Sequence, residues 1–219
     1  MRLPARYIAL AATVILQLAV ALSLVTYTVR VKSDAQKNAR VIAIACRAYD
    51  PYSPFKGRYV HLSFDISTAF PIAAEEGTAA MVNAILTEQG DSRQSQTLSA
   101  YCRVEPESSA DDALWTVTAF RRALPKDDGN VYLQTKITVS PYTDSLSPAF
   151  NFHEYYMQED YARFVDKIQW NDFNELSPVL SLYVDKKGRC VQKGLTVIDS
   201  GKRISIEEYC RRKINGEKP

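Results

Sequence analysis

The chain contains two histidines, His61 and His153, each with an acid close by: Asp65 lies four residues after the first and Glu154 directly follows the second. In a strand over residues 58–67, His61 and Asp65 share a face with Tyr59 and Ser63, because side chains alternate between faces with a period of two. Pairing with a strand that holds His153 would gather His61, Asp65, His153 and Glu154 into one polar cluster. That set of groups could bind a metal or move a proton. The local spacing points the other way, since the residue four after His153 is Met157 and the two-histidine helix of metalloproteases is missing. The sequence therefore favours two histidines on a sheet face or edge and assigns no catalytic residue and no metal ligand. A hydrolase or metal-dependent enzyme using His61, Asp65 and Glu154 is the alternative.

Other chemistries find less support. There is no Gly-x-Ser-x-Gly turn for a serine nucleophile, no Gly-rich phosphate loop and no cofactor motif. Cys46, Cys102, Cys190 and Cys210 are too far apart for CxxC redox or zinc-knuckle spacing. They read either as structural disulfides, with Cys190–Cys210 the most local of the pairings, or as small buried core groups. Thirteen tyrosines suit a partner surface but suit half-buried strands better, because six of them fall in predicted strands.

The charge is unevenly spread. Residues 1–33 hold four basic side chains and no acid, residues 34–185 hold 21 acids against 13 bases, and residues 186–219 hold ten bases against four acids. An acidic body with a basic tail is a poor match to nucleic acid, which requires a basic surface that neutralises phosphates. No nucleic-acid partner is expected.

Residues 8–27, IALAATVILQLAVALSLVTY, carry no charge over twenty positions. At 1.5 Å per residue such a helix spans about 30 Å, the hydrocarbon thickness of a bilayer. Ala19-Val20-Ala21 resembles a signal-peptidase site, but the apolar run continues to Val25 and the next charge is Arg30, which favours an uncleaved anchor in contact with membrane lipid. Arg2 and Arg6 precede the span, whereas Arg30, Lys32, Lys37 and Arg40 follow it, so charge counting leans toward a cytoplasmic domain. A short basic N-terminal tail and an even number of cysteines lean toward an exported one. The latter is the expectation: residues 1–33 as cytoplasmic tail and anchor, 34–40 as a polar stalk, and 41–219 as an exported domain.

That domain reads as β-rich (α+β), with mostly antiparallel strands and two or three short helices. Strands are predicted over residues 41–46, 58–67, 98–104, 114–121, 131–139 and 150–157, separated by turn-rich stretches. Residues 73–88 read as a helix. Tyr161, Phe164, Val165 and Ile168 fall at helical spacing and predict one amphipathic helix over 159–169. Strands over 178–184 and 189–195 flank Asp185-Lys-Lys-Gly188 as a hairpin with glycine placed for positive φ. Ser205-Ile-Glu-Glu208 is a capping box that opens a helix ending near Ile214.

In this order the elements resemble a family of bacterial membrane-anchored proteins named for a GDYxxLxY motif. The motif stands here as Gly57-Arg58-Tyr59-Val60-His61-Leu62-Ser63-Phe64, with Gly57, Tyr59 and Leu62 matching, Arg58 in place of the acid and Phe64 in place of the last tyrosine. Supporting context comes from Asp50-Pro51 after the first strand, the aromatic run Tyr155-Tyr156-Met157 and the hairpin around Gly188, so the pattern covers roughly residues 41–200. The resemblance implies a β-rich domain on a single span in the bacterial inner membrane, and it supplies no catalytic residue. The function expected on all these grounds is a non-enzymatic, extracytoplasmic domain that binds a membrane or envelope protein or another envelope component. A structural or assembly role is a further alternative.

Overall fold

The computed structural model describes residues 5–37, 40–49, 59–67, 69–89, 94–110, 113–126, 128–165, 167–168 and 170–216. Helix α1 (Ala5–Lys37) takes up the whole apolar run and continues through the polar residues after it. The rest of the chain is β1 (Val41–Tyr49), β2 (Tyr59–Phe64), β3 (Phe70–Pro71), α2 (Glu76–Gln89), β4 (Gln96–Pro106), β5 (Trp115–Arg121), β6 (Val131–Val139), β7 (Ser145–Leu146), β8 (Pro148–Ala149), β9 (Glu154–Tyr156), α3 (Glu159–Val165), α4 (Trp170–Glu175), β10 (Val179–Val184), β11 (Cys190–Asp199), β12 (Lys202–Ser205) and α5 (Ile206–Ile214).

The strands form a six-stranded sheet in the order β12-β11-β10-β1-β2-β9, a four-stranded sheet β5-β4-β6-β8 and the small pair β3-β7. Every ladder between these strands is antiparallel. Alternation explains which face of each strand is buried. In β6, Leu133, Thr135, Ile137 and Val139 turn inward while Gln134, Lys136 and Thr138 are exposed. Ile42, Ile44, Leu62, Leu180, Leu182 and Leu195 from the larger sheet join Cys102, Leu133 and Ile137 from the smaller one in a continuous core. Burial of one such aliphatic side chain contributes about 1.5–3 kcal/mol, so the face between the sheets is the main source of stability.

Local chemistry fixes the joints. At the start of α2, Glu75 accepts from the Thr78 backbone N–H and hydroxyl, both at 2.6 Å, and from the two Arg121 Nη atoms, both at 2.8 Å. The buried Thr78 hydroxyl in turn accepts from the Phe120 N–H at 2.9 Å, which ties α2 to β5. Gly77 leaves room for this arrangement, since a Cβ there would lie 2.9 Å from Arg121 Nη1.

At the β10–β11 turn, the buried Asp185 accepts from the N–H groups of Lys187 and Arg189, both at 2.9 Å, and from Arg189 Nε at 2.6 Å. Gly188 has the predicted positive φ of 75°. Its carbonyl accepts from the Gln134 N–H at 2.8 Å, so the turn docks on an open stretch of β6. At the other end of the chain, the Ser205 hydroxyl accepts from the Glu208 N–H and opens α5, as the capping box predicts.

Three expectations are corrected. The strand at 58–67 ends at Phe64, where Asp65–Ser67 coil into a 3-10 turn. The strand at 150–157 shortens to Glu154–Tyr156 because Phe150 and Phe152 leave the ladder to stack on each other with ring centroids 4.9 Å apart. The single helix at 159–169 stops at Val165, and a separate helix, α4, turns the buried Phe173 into the core.

Candidate functional site

The antiparallel register of β2 and β9 sets His61 opposite Glu154 and Tyr59 opposite Tyr156. His153, just before β9, brings its ring to 4.9 Å from that of His61. Its Nδ1 lies 2.9 Å from the Phe150 carbonyl, which assigns the proton to Nδ1 through the hydrogen-bond network, and its Nε2 lies 4.0 Å from Glu154 Oε1. Tyr156 donates its hydroxyl to Glu154 Oε2 at 2.6 Å, and its ring sits 5.7 Å from that of Tyr59. His61, His153 and Glu154 therefore do come together.

Asp65 does not join them. Four residues along a strand is about 13 Å, and Asp65 pairs with Arg47 at 3.8 Å, where it borders a separate hollow of about 680 Å³ with Asn174 and Arg203. Among the described residues, no three of His, Cys, Asp and Glu converge as metal ligands.

His153 also borders a second feature. A groove of about 640 Å³ lies between α1, the β6–β8 side of the smaller sheet and the β10–β11 turn, with Tyr27, Thr28, Thr135, Lys136, His153 and Arg189 among its walls. Each wall has a physical origin. Asp185 orients Arg189, whose guanidinium carbon stands 5.6 Å above the ring of Tyr27, a cation–π distance. Thr135 donates its hydroxyl to the Ala149 carbonyl at 3.0 Å and holds β8 in place. Gln192 donates from Nε2 to the carbonyls of Phe152 and Glu154 at 3.0 and 2.9 Å, which pins the segment bearing His153 against β11. Lys136 occupies an outward position of β6 and has no ion pair among the described residues.

The four cysteines are free thiols. Cys190 is at the base of the hairpin, with Sγ 3.6 Å from the Gly188 carbonyl, and Cys210 is on α5, with Sγ 4.0 Å from the Tyr161 carbonyl, so the proposed Cys190–Cys210 pairing gives way to separate packing roles. Burial pushes the thiols of Cys46, Cys102 and Cys210 up to about 12 and that of Cys190 upward as well. Protonated thiols of this kind are poor nucleophiles.

Of the motif positions, Tyr59, Leu62 and Phe64 are buried in β2, and Phe64 meets Phe152 edge-on with centroids 5.1 Å apart. Gly57, Arg58 and the Asp50-Pro51 step lie outside the described residues. The sequence profile of GDYXXLXY proteins matches residues 17–195. The chain belongs to this family. No curated protein and no solved structure matches it. The stretch shared with GDYXXLXY proteins begins inside α1 and ends inside β11, and therefore takes in Tyr27, both histidines, Lys136 and the Asp185–Arg189 turn.

In this GDYXXLXY protein the motif supplies packing, with His61 and Ser63 as the polar positions on its strand. Sequence reasoning finds the histidine pair through strand alternation. It misses Tyr27, Lys136 and Arg189, which are 162 residues apart at the extremes (189 − 27) and carry no shared local pattern. The one usable signal is the hairpin itself, because the residue after its positive-φ glycine is an arginine.

Proposed function

We propose that this GDYXXLXY protein is a single-pass binding module of the bacterial cytoplasmic membrane, with its β-rich domain on the extracytoplasmic side and no catalytic role of its own. The groove shared by anchor and domain carries this reading. Residues 12–30 form a helix of mean hydropathy 1.9, none of whose residues is buried. A 19-residue apolar surface of that kind is long enough to span a bilayer. Tyr27 and Thr28, near its end, are also walls of the groove. A binding site built jointly by anchor and domain fits a protein whose ligand belongs to the membrane or lies against it. The histidine pair, without Asp65, has one carboxylate at hydrogen-bonding reach of Tyr156 and presents an adhesive aromatic surface more readily than an acid–base set.

The test is fractionation of cells producing the full chain with a C-terminal epitope, followed by protease treatment of spheroplasts. Resistance to alkaline extraction together with loss of the epitope is the expected result. Release at alkaline pH would overturn the anchor, and a protected epitope would overturn the orientation. A photoreactive residue at Asn151 in the groove should give a discrete adduct that one at the exposed Tyr142 does not. Equal labelling at the two positions, or none at either, counts against the groove as the binding site.

A further inference from the structure

We propose that the groove holds the phosphate of an anionic phospholipid headgroup drawn from the surrounding bilayer, with Lys136 and the turn lysines Lys186 and Lys187 as its counter-charges. The inference rests on the anchored reading above and adds the chemical class of the occupant. Depth is the first argument. Tyr27 and Thr28 precede Arg30, the charged end of the apolar span, by two or three residues. At 1.5 Å per residue this places them about 3–5 Å inside that end, where hydrocarbon gives way to headgroups. A tyrosine at this level is the usual interfacial anchor. The groove that Tyr27 and Thr28 line is therefore open at the height of lipid phosphates.

Charge is the second argument. The chain from 34 to 185 has 21 acids against 13 bases, yet no Asp or Glu is among the described residues lining the groove. Lys136 and Arg189 are. Arg189 is compensated by Asp185 and held over Tyr27, so it offers donors at a fixed position, while Lys136 brings an uncompensated charge. Lys186 and Lys187 are exposed at the tip of the same turn, beside the groove. Thr28, Gln134 and Asn151 add polar groups to the lining. Lys186, Lys187 and Arg189 come from the basic segment after residue 185 and Lys136 from the acidic stretch before it, and cations brought together at one membrane-level site match a phosphate-bearing anionic lipid.

The experiment uses the full chain incorporated into nanodiscs of phosphatidylcholine with 30% phosphatidylglycerol, ejected intact into a native mass spectrometer, with the retained lipid counted. One phosphatidylglycerol per chain is expected, with its ratio to phosphatidylcholine enriched about 25-fold over that of the disc, about fivefold for each of two lysines. Each neutralised lysine near the surface should reduce that enrichment about fivefold, so K136Q and K187Q each lower it and the double variant abolishes it. K193Q, whose ammonium stands over the ring of Tyr183 and which is not a lining residue of the groove, should leave it unchanged and reports on nonspecific charge effects. Soluble glycerol phosphate at millimolar concentration should not displace the lipid. Enrichment that is absent, insensitive to K136Q, equally sensitive to K193Q or erased by glycerol phosphate overturns the lipid assignment. A chain that enters discs but shows no enrichment leaves the anchor standing, whereas failure to enter discs at all overturns the anchor and the lipid site together.

Discussion

Replacing Gly188 by alanine should loosen the groove side of the domain, and the structure allows the size of the effect to be worked out. Gly188 has φ of 75°, a conformation that costs a residue with a Cβ about 1 kcal/mol. A Cβ here would also stand 3.0 Å from the Tyr132 carbonyl oxygen and 3.2 Å from the Gln134 nitrogen, both backbone atoms that cannot swing away. To relieve that crowding the turn must lift, which stretches the 2.8 Å hydrogen bond from Gln134 to the Gly188 carbonyl. Loss of a hydrogen bond of this kind costs about 1 kcal/mol and more if the donor is left buried.

The sum is about 2–3 kcal/mol. Gly201 is the internal control, because it has φ of 78° but nothing within 4 Å of its Cβ position. G201A should cost only the conformational part, about 1 kcal/mol. For a domain of this size 1 kcal/mol moves the melting temperature by about 2–4 °C, so G188A should melt about 5–10 °C below the parent and G201A about 2–4 °C below. Near-UV circular dichroism of the detergent-solubilised full chain, with urea midpoints at unchanged m as a second measure, would show it. Equal losses for the two variants would refute the claim that the turn is held by its contact with β6.

Two further predictions concern groups away from the groove. Arg121 and Thr78 hold the Glu75 carboxyl down to about 2 from an ordinary value of 4.5. Because the folded value lies below the unfolded one, the stabilisation is complete above about pH 4.5 and drains away as pH falls toward 2. E75Q should lower stability by about 1–2 kcal/mol at pH 7 and flatten its slope across that acid window; a slope identical to the parent in urea unfolding at stepped pH would count against the node joining α2 to β5. For the thiols, Cys46, Cys102 and Cys210 are at most 4% exposed, so maleimide should modify no more than Cys190 in the native chain and all four in denaturant. Fast native labelling of two or more, or a mass two hydrogens short per bridge, would refute the free buried thiols.

How far the sequence foretold this structure depends on the range of the interactions. The Asp185–Gly188 turn and the Ser205 cap were readable because each is specified within four or five residues by side chains that bond their own backbone. The long strands β4, β5 and β6 were readable through alternation. Strands β3, β7 and β8, two residues each, have no period to read, and β12 is a four-residue, lysine- and arginine-bearing stretch that only its register with β11 makes a strand. The break between α3 and α4 was hidden because Phe164 and Ile168 still satisfy helical spacing across it.

The site divides along the same line. His61 and Glu154 face each other through simple strand pairing, but Asp65 is diverted by a 3-10 turn that alternation alone does not foresee. The groove was illegible, since a residue of α1, an outward lysine of β6 and an arginine of a distant hairpin become neighbours only when two sheets and a helix pack.

Gln192 has a consequence for what the protein avoids. A bulge at Lys193 interrupts the β10–β11 ladder, and bulges re-aim neighbouring side chains. The amide of Gln192 then spans from β11 to two alternate carbonyls, those of Phe152 and Glu154, at the outer edge of β9, the last strand on the other side of the sheet. Five strands are thereby bent almost into a ring whose seam is closed by one side chain in place of a backbone ladder. A seam of that kind covers the β9 margin, where a stray strand from a neighbouring chain would otherwise attach, and leaves β12 as the other margin of the sheet. With one margin covered, the β9 edge of one chain cannot pair with the β12 edge of the next, which guards against open-ended sheet growth between chains.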